Sequence, residues 1–174
     1  MDKDSIITQM FNSGLIEITH NYKGMRVNIS SNKLALNPRI LNVFIDDLVQ
    51  KIQGVQAVSE LDLKLMALVP ESLFLSSAIA RKLDTNIEPF DYKDNRVERI
   101  EPNSDYIFIG CFIAGGDTLC AAHEKLIKEN SRVAHAIYVL NKEMFDTKIN
   151  DYGINVHSSI ALSDILDVYK RRII

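Results

Sequence analysis

Several protein classes are excluded by what this chain lacks. It has two cysteines in 174 residues, Cys111 and Cys120. Two are too few for a disulfide framework, and their spacing suits no metal site. Both read as reduced, small apolar residues of a cytosolic protein. Positive charge is not in excess, since 20 Lys and Arg against 23 Asp and Glu leave a formal net charge of −3. With no basic stripe either, nucleic acid is not an expected partner. No apolar run approaches the roughly 20 residues that a bilayer span needs, so no membrane association is expected. The first five residues are polar and acidic, unlike a signal peptide. Repeats and low-complexity segments are absent. The expectation is one cytoplasmic domain, residues 1–174, long enough to bury a real core.

What is present is an alternation of apolar runs and amphipathic stripes. Ile6, Ile7, Met10 and Phe11 mark one face of a first helix that ends at Asn12-Ser-Gly14. Residues 22–30 read as a strand or hairpin. Asn37 and Pro38 have the chemistry of a cap and a first helical position. A stripe from Ile40 to Ile52 then runs to Gly54. Asp46 and Asp47 inside it point about 100° apart on a helix, so a solvated face accounts for them better than a metal does. Leu65 to Val69 reads as a buried strand, followed by Pro70 to Phe74 and a helix through Leu83. Residues 86–92 suggest another strand, with a charged connection from Lys93 to Arg99 behind it. Arg132 to Leu140 reads as a further strand with a packed core histidine, His135. Ile154 to His157 reads as the last strand, and Ser163 as the cap of a closing helix that ends in Lys170-Arg-Arg. Strands alternating with helices imply an α/β fold, a mostly parallel sheet flanked by helices.

The chain is organised around residues 106–128. Tyr106 to Ile109 is a short apolar run, rich in β-branched and aromatic residues, of the kind found in buried parallel strands. Ala114, Gly115 and Gly116 form a small-residue turn, and Asp117-Thr118 opens a run with helical spacing. Strand, glycine turn and helix start bring free backbone N–H groups and a positive dipole end together, which suits a phosphate. An ordinary strand-to-helix connection with its own cap is the alternative.

This segment resembles the phosphoribosyl-pyrophosphate motif of type I phosphoribosyltransferases: an apolar strand, two acids, two apolar residues, a small-residue loop and a helix. Two further stretches resemble the orotate phosphoribosyltransferase branch, Ala136-Ile-Tyr-Val-Leu-Asn-Lys-Glu143 and Tyr152-Gly-Ile-Asn-Val-His-Ser-Ser-Ile-Ala-Leu-Ser163. Asn12-Ser-Gly14 and Met25 to Leu41 resemble its first helix, hood strand and Pro-Arg-x-Leu helix. The pieces follow the family's order over nearly the whole chain. The resemblance implies a small hood of about residues 1–35 over an α/β core of 36–174, and a homodimer whose mobile loop serves the neighbouring site. It also implies pentosyl transfer from phosphoribosyl pyrophosphate to a pyrimidine base with Mg²⁺.

The departures fall on the chemistry. Gly110 and Cys111 stand where the family's two acids hold the ribose hydroxyls. Asp117 stands where a small hydroxyl residue meets the 5′-phosphate. A carboxylate ~5 Å from a phosphate costs on the order of 3 kcal/mol at an effective dielectric near 20. Asp117 is also a good helix N-cap and could satisfy the helix end itself. In the pyrophosphate loop Glu71 adds negative charge, Leu73 and Phe74 add bulk, and no glycine permits close approach. Lys142 keeps the charge but not the planar fork of the family's carboxylate-binding arginine, and Lys23 is the nearest match to its carboxylate-binding lysine. Lys93, Arg96 and Arg99 are the candidates to replace the catalytic lysine and its partners, with solvated loop charges as the other reading.

Three functions fit. One is an orotate phosphoribosyltransferase-like protein with little or no catalysis, no cofactor, and a ligand-binding, regulatory or scaffold role. The second is an active pyrimidine phosphoribosyltransferase with a divergent site and Mg²⁺. The third is a module that binds a nucleotide or phosphate without turnover.

Overall fold

The computed structural model of the chain describes residues 2–21, 24–59, 62–94, 96–142 and 147–173. The N-terminal part is a helix and a ribbon. Helix α1 (Lys3–Asn12) is capped by the Asp2 carboxylate, buries Ile6, Ile7 and Met10, and ends ahead of Gly14 at φ +66°. Strands β1 (Ile16–Asn21) and β2 (Gly24–Ile29) pair antiparallel, Ile16 opposite Ile29. The sequence pattern marks only the second of them. A short helix, α2 (Ser31–Ala35), leads on, with Ser30 as its cap.

Helix α3 (Pro38–Val58) begins as its sequence dictates, the Asn37 side chain accepting the Ile40 N–H at 3.3 Å with Pro38 in the first turn. It runs past the expected stop at Gly54 because Val55 continues the buried stripe. Asp46 and Asp47 project to different partners, Asp46 to Lys82 and Asp47 to Lys51.

Six strands form the main sheet in the order β5-β4-β3-β6-β7-β8. These are β3 (Lys64–Val69), β4 (Glu88–Asp91), β5 (Arg96–Val97), β6 (Asp105–Ile113), β7 (Arg132–Asn141) and β8 (Asn155–Ala161). All pairings are parallel except β4 with β5, an edge ribbon inside the stretch expected as a plain connection. The remaining helices are α4 (Leu73–Leu83), α5 (Asp117–Ile127), α6 (Thr147–Asp151) and α7 (Leu162–Ile173). This is the mostly parallel α/β architecture that the alternation of patterns implies.

The sheet is buried on both faces. Along β6, Ile107, Ile109 and Cys111 join one cluster with α1, α3, α4, α7 and the N-terminal ribbon. Tyr106 and Phe108 join the other, with α5 and α6. Two strands outrun their apolar signals. β6 was expected to stop at Ile109, but pairing with β7 carries it through Gly110 and Cys111 to Ile113, opposite Asn141. β8 likewise extends to Ala161. Ser163 therefore falls inside the first turn of α7 rather than at its cap, and the Asp164 carboxylate accepts the Ala161 N–H at 2.8 Å. His135 is half-buried rather than a packed core residue. Among the described residues, no helix is long and apolar enough to cross a membrane.

Candidate functional site

The C-terminal ends of β3, β6 and β7 converge on the positions of interest. Gly110 lies inside β6, opposite Tyr138 of β7 in the parallel register. A β-carbon on Gly110 would run into the edge of the Tyr138 ring. Glycine inside an apolar strand signals such a close approach, since any side chain would displace the neighbour. Tyr138 is 3% exposed and packs against Phe108, and burial pushes its phenol above the ordinary range. The space beside Gly110 thus holds a neutral aromatic ring.

Cys111 points to the opposite face and is also only 3% exposed. Its N–H donates to Ser72 Oγ at 3.0 Å, and its sulfur lies 3.6 Å from the Glu71 carbonyl oxygen. Burial pushes the thiol up to about 11, so at neutral pH it is an uncharged weak donor. Ser72 is fully buried and is the N-cap residue of α4, yet its side chain makes no capping bond. Its hydroxyl serves β6 instead, so the loop after β3 is tied down onto the Cys111 position. Glu71 and Leu73 of this loop are exposed, while Phe74 turns inward against the core.

The turn after β6 keeps its architecture. Ala114 and Gly115 are exposed, and among the described residues, chain neighbours aside, no atom lies within 4 Å of the β-carbon position of Gly115. Gly116 adopts φ +95°, open to glycine at no steric cost, and a β-carbon there would meet Ile149 of α6. Gly116, not Asp117, is the N-cap of α5, and no side chain caps the helix. Asp117 is the exposed first helical residue, and Thr118 behind it is half-buried. The first helical bond runs from Cys120 N–H to Gly116 C=O at 2.9 Å, so the N–H groups of residues 117–119 precede the ladder.

Lys142 follows β7, half-buried, its N–H bonded to the Ile113 carbonyl oxygen at 2.8 Å. It therefore joins Gly110, Cys111 and the turn at one edge of the sheet. Lys93 and Arg96 do not. They are exposed on the β4–β5 ribbon; β4 is two strand spacings from β6, about 10 Å of sheet, and β5, which holds Arg96, is one spacing further. The backbone N–H of Lys93 caps back onto Asp91 at 2.9 Å. Lys23 and Glu143 lie outside the described residues. Sequence reasoning missed Tyr138 and Ser72. The mid-strand glycine was a usable signal for the first, and nothing local pointed to the second.

The fold is that of the type I phosphoribosyltransferases. The chain is similar to the UMP synthase of Leishmania donovani, with TM-score 0.78, 14% identity, 99% of this chain and 39% of that one covered. It thus spans well under half of that protein. It is also similar to the orotate phosphoribosyltransferase of Aeropyrum pernix (0.75, 15% identity, 95% and 99% covered). The adenine phosphoribosyltransferase of Leishmania donovani is a third similar structure (0.70, 12% identity, 94% and 83% covered). No protein-family model and no curated protein sequence matches the chain.

Proposed function

We propose that this chain is an orotate phosphoribosyltransferase-like protein that has lost most or all phosphoribosyl transfer and keeps a ligand-binding, regulatory or scaffold role. The observation that carries this reading is the filling of the acid-pair positions. In the family that the sequence resembles, two carboxylates hold the ribose of the activated sugar. Here the position beside Gly110 is taken by the Tyr138 ring, and Cys111 is buried under Ser72. Neither residue offers an oxygen ligand, so positions 110 and 111 do not fit a Mg²⁺–sugar complex. The exposed Asp117 puts a negative charge at the turn that would otherwise receive a phosphate.

The intact turn and the half-buried Lys142 beside it favour the other reading, an active pyrimidine phosphoribosyltransferase with a divergent site. Purified protein incubated with phosphoribosyl pyrophosphate, orotate and Mg²⁺ decides between them. The expected result is no nucleotide under conditions where an ordinary orotate phosphoribosyltransferase turns over. Nucleotide formation abolished by Lys142→Ala would establish the second reading. Calorimetric titration with the nucleotide monophosphate then separates a binding module from a scaffold without a ligand.

A further inference from the structure

A cleft of about 430 Å³ opens at the N-terminal ends of β6 and β7, with the whole nine-residue length of β6 between it and the turn that follows that strand. Ile127 and Asn130, at and behind the end of α5, form one side. Asp105 and Arg132, the first residues of the two strands, form another, and Tyr152 behind α6 closes the third. His123 of α5 also lines the cleft, although only 3% of it is exposed.

The His123 ring is fixed on two sides. Its Nδ1 accepts the Val133 N–H at 3.3 Å, and its face stacks on Tyr152 with the centroids 4.5 Å apart and the planes 13° apart. Tyr152 is held in turn by its hydroxyl, which donates to Glu124 at 2.7 Å. The nitrogen that accepts carries no proton, so the neutral ring has its proton on Nε2. Nε2–H has no acceptor among the described residues. It is not sealed in the core either, because Ser159 Oγ is the one buried side-chain polar atom there without a partner. The donor therefore meets open space, and the cleft is the space that its ring lines.

Arg132 supplies a second donor. Its Nε and Nη2 bond the Asp105 carboxylate, the shortest contact being 2.8 Å, which leaves Nη1 uncommitted among the described residues. The acceptors nearby are engaged: the Asp105 carboxylate by Arg132, and Ser131 Oγ by the Ser104 N–H. Ile127, 49% exposed, and the half-buried Tyr152 ring add apolar wall. Free donors, engaged acceptors and an apolar wall select a complementary guest. We propose that the cleft binds a small molecule with an apolar body and an acceptor oxygen, a carboxylate or an amide carbonyl, held by His123 Nε2–H with Arg132 beside it. A multiply charged inorganic anion fits less well, since Asp105 balances the one cationic side chain in the lining. Neither Lys142 nor the turn after β6 contributes, so the site stands or falls apart from the proposed function.

The test is an NMR titration of the full chain near pH 8, where a histidine ring is neutral. Benzoate and benzamide present one ring with each kind of acceptor, and benzylamine presents it with a charged donor only. A saturable shift of the His123 ring and of the amides of residues 127–132 is expected with benzoate or benzamide. The tighter of the two tells carboxylate from carbonyl. In His123→Asn the amide oxygen can still accept the Val133 N–H, while the Nε2 donor is gone. Ile127→Ser trims the wall at an exposed position of α5 and is expected to fold whatever His123→Asn does. Each change should weaken binding about fivefold or more, with urea midpoints showing that the variant is folded. No saturable binding of either probe overturns the proposal. So does benzylamine binding as tightly as both, or affinity that is unchanged in the folded variants.

Discussion

At the scale of single residues, Gly110 and Tyr138 behave as one unit. Alanine for glycine inside a strand is ordinarily favourable, because glycine loses more conformational freedom on folding. At Gly110 the added carbon meets the Tyr138 ring, which is fixed by the packing around it. Gly110→Ala is therefore expected to lower stability by about 1–3 kcal/mol, the range for overpacking. In a Tyr138→Ala background the same change should be neutral or stabilising. A double-mutant cycle from urea unfolding measures the coupling, and additive effects would mean that the ring moves aside freely. Asp117 gives a second prediction at this scale. It stands in the first turn of α5, where its charge favours the helix dipole without capping the helix. Asp117→Ser should lose about 0.3–1 kcal/mol of stability. It should also bind inorganic phosphate about tenfold more tightly, since the carboxylate repulsion is lost. Calorimetry with phosphate reads this directly, and unchanged affinity would mean that the carboxylate points away from the turn.

At the scale of elements, the histidines tie strands to helices. His123 of α5 accepts the Val133 N–H of β7 at 3.3 Å and stacks on Tyr152, while His135 and His157 join β7 to β8 under α3. Burial is the first cause that holds each of the three below its ordinary value of 6.5. As pH falls through about 6.5, the unfolded chain takes up protons that the folded chain still refuses. Stability conferred by the neutral rings is thus complete above that pH and is lost progressively below it, until the folded groups titrate too. Urea midpoints should fall between about pH 7.5 and pH 5.5. His157→Gln should flatten that dependence. A midpoint insensitive to pH over this window would show that the rings protonate in place without cost.

At the scale of the whole molecule, α1 and the β1–β2 ribbon are not a loose appendage. Their apolar residues belong to the same cluster as α3, α7 and the sheet. Arg172 of α7 lies over the Phe11 ring and bonds Asn12, and Arg171 pairs with Asp4. These exposed polar contacts contribute little each, so the shared apolar cluster is what fixes the N-terminal part to the rest of the fold. The expected assembly is a homodimer. The family resemblance makes Phe90, Tyr92 and the N-terminal part candidates for its interface, but Phe90 of β4 is fully buried in the core. Tyr92, 47% exposed just beyond β4, remains available. Sedimentation velocity at micromolar concentration should give a dimer, weakened by Tyr92→Ala. A clean monomer would remove that surface from the account.

The fold class, the position of the turn and the longer elements were legible in the amino-acid sequence, because helix and strand periods and cap chemistry are local properties, whereas the short elements β1, α2, β5 and α6 were not. Asn37-Pro38, the stripe of α3 and the apolar run of β6 each act over a few residues, and each appears where its pattern places it. The ends of β6 and β8 were not legible, because they are set by how far β7 continues to pair. The same holds for the cap of α5, where φ +95° at Gly116 moves the helix start past the residue with the better capping side chain. Against the motif that the sequence resembles, Gly110 and Cys111 stand where two acids are expected. Only the tertiary structure decided what stands there instead. Tyr138 reaches Gly110 through a strand register, Ser72 reaches Cys111 across 39 residues, and His135 meets His157 across 22. Such meetings depend on which residues the packed sheet aligns, and no local pattern carries that register.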